Sequence, residues 1–503
     1  MNSNKQKALT RISRDKGLNV VIMDDHKQMA YNKQLYRGKI DGFHDYKITD
    51  VKGRTHTAER LSTQIGKRIA EDFTSLLFNE NSRVYYEDDR QNDVLQDIIE
   101  DNNFYERFGK FLETSYGALG NGYAVVYYND GKPKIDFING DDGYITSHDN
   151  GETYGIVVLN EKSYGSTEYT HLTFHTFSDG EYKVEHQFFE NGKNTPKANK
   201  DIGSPMTNTE KISQVFRLDK RSLDNIQSGD EFIWSIITDH KYFVHFKPNI
   251  KNNHNIKSPY GISIISNARD LIKALDEVYT ASVEEYENGK SRIFVNTSLL
   301  EKKMIPRSDG SQDMINFFDG DKTEYVAMPL DSEDEPIKIY NPTLREEQYN
   351  SAINRILASI GFQVGFGKSY YQMKDGLVAS TATEVKMNKS DLWRNIRKHQ
   401  NLLGEQLTDL VAALLDASDL EVERDKIRVE FDDSIIIDDE AEYEKAMREY
   451  DKGMMTKKEF IMQFRGKTEE EAEEIINGVE QEQSQEQNAL FGIGAEDEDE
   501  LSE

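Results

Sequence analysis

The segment Gly361-Phe362-Gln363-Val364-Gly365-Phe366-Gly367-Lys368-Ser369 comes nearest to a recognised chemical motif. A nucleotide-binding loop needs Gly, four residues, then Gly-Lys-Ser/Thr, so that backbone N–H groups can wrap the phosphates at a helix start. Here five residues separate Gly361 from Gly367 and one separates Gly365 from Gly367. The preceding pattern is helical, where a phosphate loop follows a strand, and no acidic strand end supplies a magnesium partner. The spacing therefore excludes this phosphate cradle. His171 and His175 lie four apart in a strand pattern, which puts them about 13 Å from each other and outside the reach of one metal ion. They read as polar residues of a strand face. The Asp-Gly runs at 139–143 and 319–324 lack the twelve-residue spacing of a calcium loop and read as turns. There is no Gly-x-Ser-x-Gly and no His-Glu-x-x-His. We expect no catalytic residue, no metal site and no cofactor.

The elements around these residues change period along the chain. Helical stripes are expected around Met29–Tyr36, over Thr57–Leu77 (Leu61, Ile65, Ile69, Phe73 and Leu76 inward) and over Phe104–Leu119. Residues 122–138 read as a hairpin about Asn129-Asp130-Gly131, and strand-like runs continue to about Phe246. A long helix is expected from about Ile262 to Asn288, roughly 40 Å long, with Gly289 as its stop. Residues 291–342 form a small strand-rich island, and 343–361 a shorter helix. Then comes a loop, 362–380, rich in Gly and Tyr. The longest helix opens at Ser380-Thr381-Ala382-Thr383-Glu384, where Thr381 and Glu384 have capping-box spacing. It runs to about Ala417 with Val385, Leu392, Ile396, Leu403, Leu407, Leu410 and Leu414 inward. A strand at 426–434 and acidic helices at 439–479 follow. The fold class is α+β.

Composition narrows the function classes. The 503 residues carry a formal charge of −29 and no cysteine. This removes disulfides and thiolate zinc sites. It also makes a DNA-gripping surface improbable, since such a surface is basic. An acidic wall would let phosphates pass without holding them. Basic residues gather in the first twenty positions (Lys5, Lys7, Arg11, Arg14, Lys16), while Glu480–Glu503 holds nine acidic residues and no Lys or Arg. No run approaches 18 consecutive apolar residues, so no membrane span is expected.

The order long helix, strand island, short helix, Gly loop and very long helix over 258–417 resembles the portal proteins of tailed bacteriophages, of the type found in phages of Gram-positive bacteria. The segments Tyr31–Gly38 and Phe104–Tyr128 and the opening at Ser380–Val385 are similar to the family's strings at those places. The resemblance covers about 30–480. It implies a portal fold divided into a flexible basic leader (1–28), a wing (29–257), a stem helix (258–290), a clip (291–342), a second stem helix (343–361), a tunnel loop (362–380), a wing helix and strand (381–438), crown helices (439–480) and a disordered acidic tail (481–503). It also implies a ring of twelve subunits, or thirteen when purified, at one capsid vertex of the virion, assembled in the host cytoplasm. Its partners would be the large terminase subunit, a head-completion or adaptor protein, major capsid and scaffolding proteins, and double-stranded DNA in the channel. In the tunnel loop Lys368, Tyr370, Tyr371 and Lys374 would contact that DNA, and Gly365, Gly367 and Gly376 would act as hinges. The competing readings are another structural head or tail protein and a packaging ATPase.

Overall fold

The computed structural model describes residues 23–129, 131–191, 203–296, 302–306, 310, 312–316, 325–328, 337–372, 382–432, 446–465, 472, 473, 475 and 476. The chain is an α+β protein. Its helices are α1 (Met23–Arg37), α2 (Ile65–Leu77), α3 (Asp89–Asp101), α4 (Phe104–Leu112, continued by a π-helical turn Glu113–Leu119), α5 (Thr209–Phe216), α6 (Lys220–Ile226), α7 (Arg269–Asn288), α8 (Glu346–Val364), α9 (Ala382–Asp416) and α10 (Lys457–Arg465). The leader 1–22, the loop residues 373–380 with Lys374 and Gly376, the turn 319–324 and the tail 481–503 lie outside the described residues.

Helix α9 is the spine. Ile396, Leu403, Leu407 and Leu410 recur at helical spacing and are wholly buried, as an amphipathic stripe demands. Against it lie the strand β13 (Phe243–Phe246), the helices α2 and α3, and the strand β19 (Ile427–Glu430), which pairs antiparallel with β3 (Arg83–Tyr86). β13 joins β4 (Gly122–Asn129) and β5 (Lys132–Asn139) in a three-stranded sheet. Between this sheet and the helices, Phe104, Phe108, Phe111 and Phe246 form a buried aromatic block with ring centroids 4.9–6.1 Å apart. Gly120 ends the π-helical turn at φ 81°, and a side chain there would meet the Ser263 backbone nitrogen at 2.2 Å. Only glycine satisfies both the left-handed backbone and the close crossing.

The second sheet is an antiparallel meander: β6 (Gly143–Asp149), β7 (Glu152–Tyr164), β8 (Thr167–Ser178) and β9 (Glu181–Asn191), extended by β12 (Glu231–Ile237) and β11 (Gln227–Ser228), with β10 (Ser204–Pro205) also on β9. Helices α5 and α6, absent from the sequence reading, cover Tyr169, Phe188 and Phe232. Farther along, β14 (Arg292–Asn296) pairs parallel with β17 (Tyr325–Met328) and antiparallel with β18 (Ile337–Tyr340), while β15 (Lys302–Pro306) and β16 (Gln312–Asn316) form a hairpin. A further hairpin, β1 (Asp45–Thr49) with β2 (Thr55–Glu59), precedes α2.

Three helix starts differ from the sequence expectation, each because the backbone or first turn has other partners. Residues 55–59 are the strand β2 and α2 begins only at Ile65. The Leu61 N–H donates to Thr280 and the Thr63 N–H to Asp276, so the connecting residues are spent on α7. Helix α7 starts at Arg269, not Ile262, because Ile262–Ile265 crosses under the π turn, with the Ile264 N–H on the Tyr116 carbonyl and the Ser263 hydroxyl on that of Gly117. Helix α1 starts six residues before Met29, since Asp25 in its first turn is held by Asn252 and Ser258 at 3.0 and 2.9 Å. Helix α3 carries no long apolar stripe and escaped the sequence reading.

His171 and His175 sit in β8 as buried sheet residues and not on a solvated face. His171 Nε2 lies 3.0 Å from His186 Nδ1 on β9, and His175 Nδ1 lies 2.7 Å from the Tyr182 hydroxyl. Burial pushes His175 down to about 3 and His186 to about 4, and holds His171 well below the ordinary histidine range. Such a residue favours the fold only while neutral. Its contribution is complete above its unfolded pKa of about 6.5 and is lost as the pH falls toward the folded value. We expect the unfolding free energy to drop between pH 7 and 4, and the drop to be smaller by about 2–3 kcal/mol in His175→Gln. Urea unfolding of both proteins at the two pH values checks this; equal drops would mean that His175 is not held neutral.

Candidate functional site at the end of helix α8

Helices α7 and α8 pack side by side. Arg345 fixes one end of the pair by a bidentate contact to Glu285, with Nε to Oε1 at 3.0 Å and a terminal nitrogen to Oε2 at 2.5 Å. At the other end α8 runs to Val364, three residues past its expected limit, and stops in a Schellman turn. The Phe366 N–H donates to the Gly361 carbonyl at 2.8 Å and the Gly365 N–H to that of Phe362 at 3.2 Å. Gly365 has φ 85°, and a side chain there would meet Asn395 of α9 at 2.4 Å. Gly367 follows at φ 90°.

Phe366 is buried beneath this turn, stacked on Phe73 of α2 at 6.2 Å and 4.8 Å from the Tyr370 ring. Phe73 meets His399 of α9 edge-on. The Tyr371 hydroxyl donates to Asp72 Oδ2 at 3.1 Å. Asp72 is buried on α2 and also receives both arms of Arg68, at 3.0 and 2.9 Å. Burial, and then the Asp72 charge, raise the Tyr371 hydroxyl far above the usual tyrosine range, so it stays a proton donor. Tyr370 is raised chiefly by its own burial.

Of the residues singled out in the sequence, Gly365, Gly367, Tyr370 and Tyr371 thus converge on one turn. Lys368 is exposed and lies over the Phe362 ring at 5.7 Å, and Phe362 is 65% exposed. Lys368, Tyr370 and Phe362 make up a small cationic and aromatic surface. The sequence reading missed Arg68, Asp72, Phe73 and Asn395. Asp72 did leave a signal, since it sits beside Phe73 on the apolar face of α2, where a carboxylate needs partners.

The turn differs from a phosphate cradle because it ends a helix where a cradle opens one, and its Gly365 and Phe366 N–H groups are spent on the α8 carbonyls. Among the described residues no group of three or more His, Asp or Glu could hold a metal ion. The Asp-Gly run at 139–143 is the turn joining β5 to β6, closed by the Asp142 N–H on the Asn139 carbonyl, with Asp141 ion-paired to Lys33 at 2.6 Å. No helix among the described residues is long and apolar enough to cross a membrane.

The family model of phage portal proteins matches residues 23–488. The chain belongs to that family, whose full description is phage portal protein, SPP1 Gp6-like. Among curated proteins no relative matches. A similar solved structure is a chain of the neck of an empty GTA particle computed with C6 symmetry, 11% identical over 90% of this chain and 97% of that one, at a TM-score of 0.43.

Two substitutions test how the turn is held. Gly365→Ala places a side chain in left-handed backbone against Asn395, and should cost at least about 1–2 kcal/mol. Tyr371→Phe removes one hydrogen bond to the Asp72 carboxylate and almost no volume, and should cost about 1.5–3 kcal/mol while speeding amide exchange at 366–372. Exchange measured by mass spectrometry on intact protein reads both; unchanged exchange in Tyr371→Phe would detach Asp72 from the turn.

Proposed function

We propose that the chain is one subunit of a closed ring at a phage capsid vertex, through which double-stranded DNA enters and leaves. The observation that carries this reading is membership of the portal family across nearly the whole chain. The charge agrees with it. Twelve copies at −29 bring about −350 formal charges to one assembly, a surface that repels phosphate and lets it slide. Within that ring α7 and α8 are the stem, 291–342 the clip, and the turn after α8 opens the tunnel loop.

In this reading the exposed Lys368 and Tyr370 are the described side chains that meet DNA. A lysine touches phosphate as a point charge, and a tyrosine ring tolerates any base or sugar. Tyr371 is the anchor beneath them, and Lys374, outside the described residues, is expected from the family resemblance to contact DNA as well. A large terminase subunit would dock on the clip during packaging, and a head-completion or adaptor protein would replace it. Major capsid and scaffolding proteins would contact the wing. The subunit works by shape and charge, not by catalysis.

Negative-stain microscopy and native mass spectrometry of purified protein should give rings of twelve, or thirteen. A chain that stays monomeric at tens of micromolar would refute the reading. Lys368→Ala with Tyr370→Ala should leave the ring intact and lower the yield of DNA-filled heads in an infection complemented with the variant. A full yield would take this turn out of DNA handling.

A further inference from the structure

The hairpin β1–β2 has no core of its own. Its register puts Tyr46, Ile48, His56 and Ala58 on one face and Lys47, Thr49, Thr55 and Thr57 on the other. None of these residues is buried, Ile48 is 47% exposed and Val51 at the tip is fully exposed. A lone two-stranded hairpin is marginal in water, and exposed apolar residues on such an edge invite pairing.

Its mounting is the opposite. His44 is buried at one foot. Its Nδ1 accepts the Ile40 N–H at 2.8 Å, so the proton sits on Nε2 and is donated to Asp276 Oδ2 of α7 at 3.1 Å. The other oxygen of Asp276 accepts both the N–H and the hydroxyl of Thr63, each at 2.7 Å, beyond the second foot. Arg60 lies over the rings of Phe43 and Tyr46 at 4.7 and 4.1 Å. Both feet are clamped to α7 through a buried, fully partnered carboxylate. A hairpin held this rigidly and left uncovered is built to be covered by something else.

Charge indicates the occupant. In this acidic chain the outer part of the hairpin, residues 46–58, carries Lys47, Lys52 and Arg54 against Asp50, while Asp45 and Glu59 at its base are paired with Lys39. Asp50 is spent on the tip, where it accepts from the Lys52 and Arg54 backbone and from the Arg54 side chain. Lys47 and Lys52 have no acidic partner among the described residues. The half of α7 from Glu277 to Asn288 holds four glutamates and no Lys or Arg; Glu277 and Glu285 are paired with Arg60 and Arg345, while Glu284 and Glu287 are exposed beside the exposed Tyr279 and Tyr286. We infer that the hairpin is an assembly arm, whose cationic and apolar tip docks on this acidic, tyrosine-bearing half of α7 in a second copy of the chain. Five residues of strand reach about 17 Å, more than the diameter of one helix with its side chains. The arm and its acceptor are different surfaces, so the contact is head-to-tail and closes into a ring when the rotation allows.

The inference rests on the ring reading, and the test separates the two. The chain has no cysteine, so Val51→Cys with Tyr279→Cys or Tyr286→Cys introduces the only thiols. Mild oxidation of the purified full chain should give a ladder of linked subunits on a non-reducing gel, and either change alone should give none beyond a dimer. Lys47→Glu with Lys52→Glu should raise the concentration for half assembly tenfold or more, and adding Glu284→Lys with Glu287→Lys should bring it back. Rings that form without a ladder and ignore the charge reversal overturn the arm and leave the ring. Charge-reversed rings that assemble normally but no longer join a capsid shell assign the hairpin to that shell and overturn the arm as well. A wild-type chain that never associates overturns both.

Discussion

The apolar stripe of α9 is the constraint on which the other elements depend. Its wholly buried leucines lie on a helix that packs against β13, β19, α2 and α3, so one element bears on the positions of all four. At about 1.5–3 kcal/mol for each fully buried large apolar side chain, the stripe outweighs any single polar contact in the fold. A polar chain joins this apolar register at few points. Gln406 accepts the Tyr116 hydroxyl at 2.6 Å and donates to the His245 carbonyl at 3.1 Å, tying the π turn and β13 to the same helix. Asn395 stands under the turn that ends α8. The position of that turn therefore depends on α9 through Asn395 as well as on α2 through Phe73 and Asp72.

How much of this was legible depended on where the backbone hydrogen bonds go. Leu392, Ile396, Leu403, Leu407, Leu410 and Leu414 announce α9 by period alone, and all are buried. Gly122–Asn139 announces its hairpin by alternation and a Gly turn. The helix starts failed where donors are consumed by distant partners, since a stripe such as Leu61–Ile65 says nothing about Thr63 bonding to Asp276, 213 residues away. Strand β2 has no buried residue and so no periodic burial to read. Helices α5 and α6 are short, and it is the exposed Asn208 and Asp219 side-chain caps, rather than any stripe, that define their starts.

The histidines show the same limit in chemical form. Spacing alone argues against His171 and His175 sharing one metal ion, because residues four apart in a strand lie about 13 Å from each other. It cannot tell a solvated face from a buried one, because burial of β8 depends on β7, β9 and the covering helices. Once buried, the ring nitrogens needed partners, and they found each other or tyrosine. The cost of charging them is then a property of the sheet and not of the residue.

The segment that first resembled a phosphate loop gains a different physical meaning from its neighbours. Gly365 ends a helix, and the Gly365 and Phe366 N–H groups are already bonded to its last carbonyls. Burial of Phe366 contributes about 1.5–3 kcal/mol, and the Tyr371 bond to a charged Asp72 about 1.5–3 kcal/mol more. Moving Gly365–Tyr371 would give up both, and would leave Asp72 buried with one partner fewer. Any rearrangement that spares the core must begin after Tyr371. The turn is thus held by Asp72, a residue 299 positions away in the sequence and adjacent only in the fold.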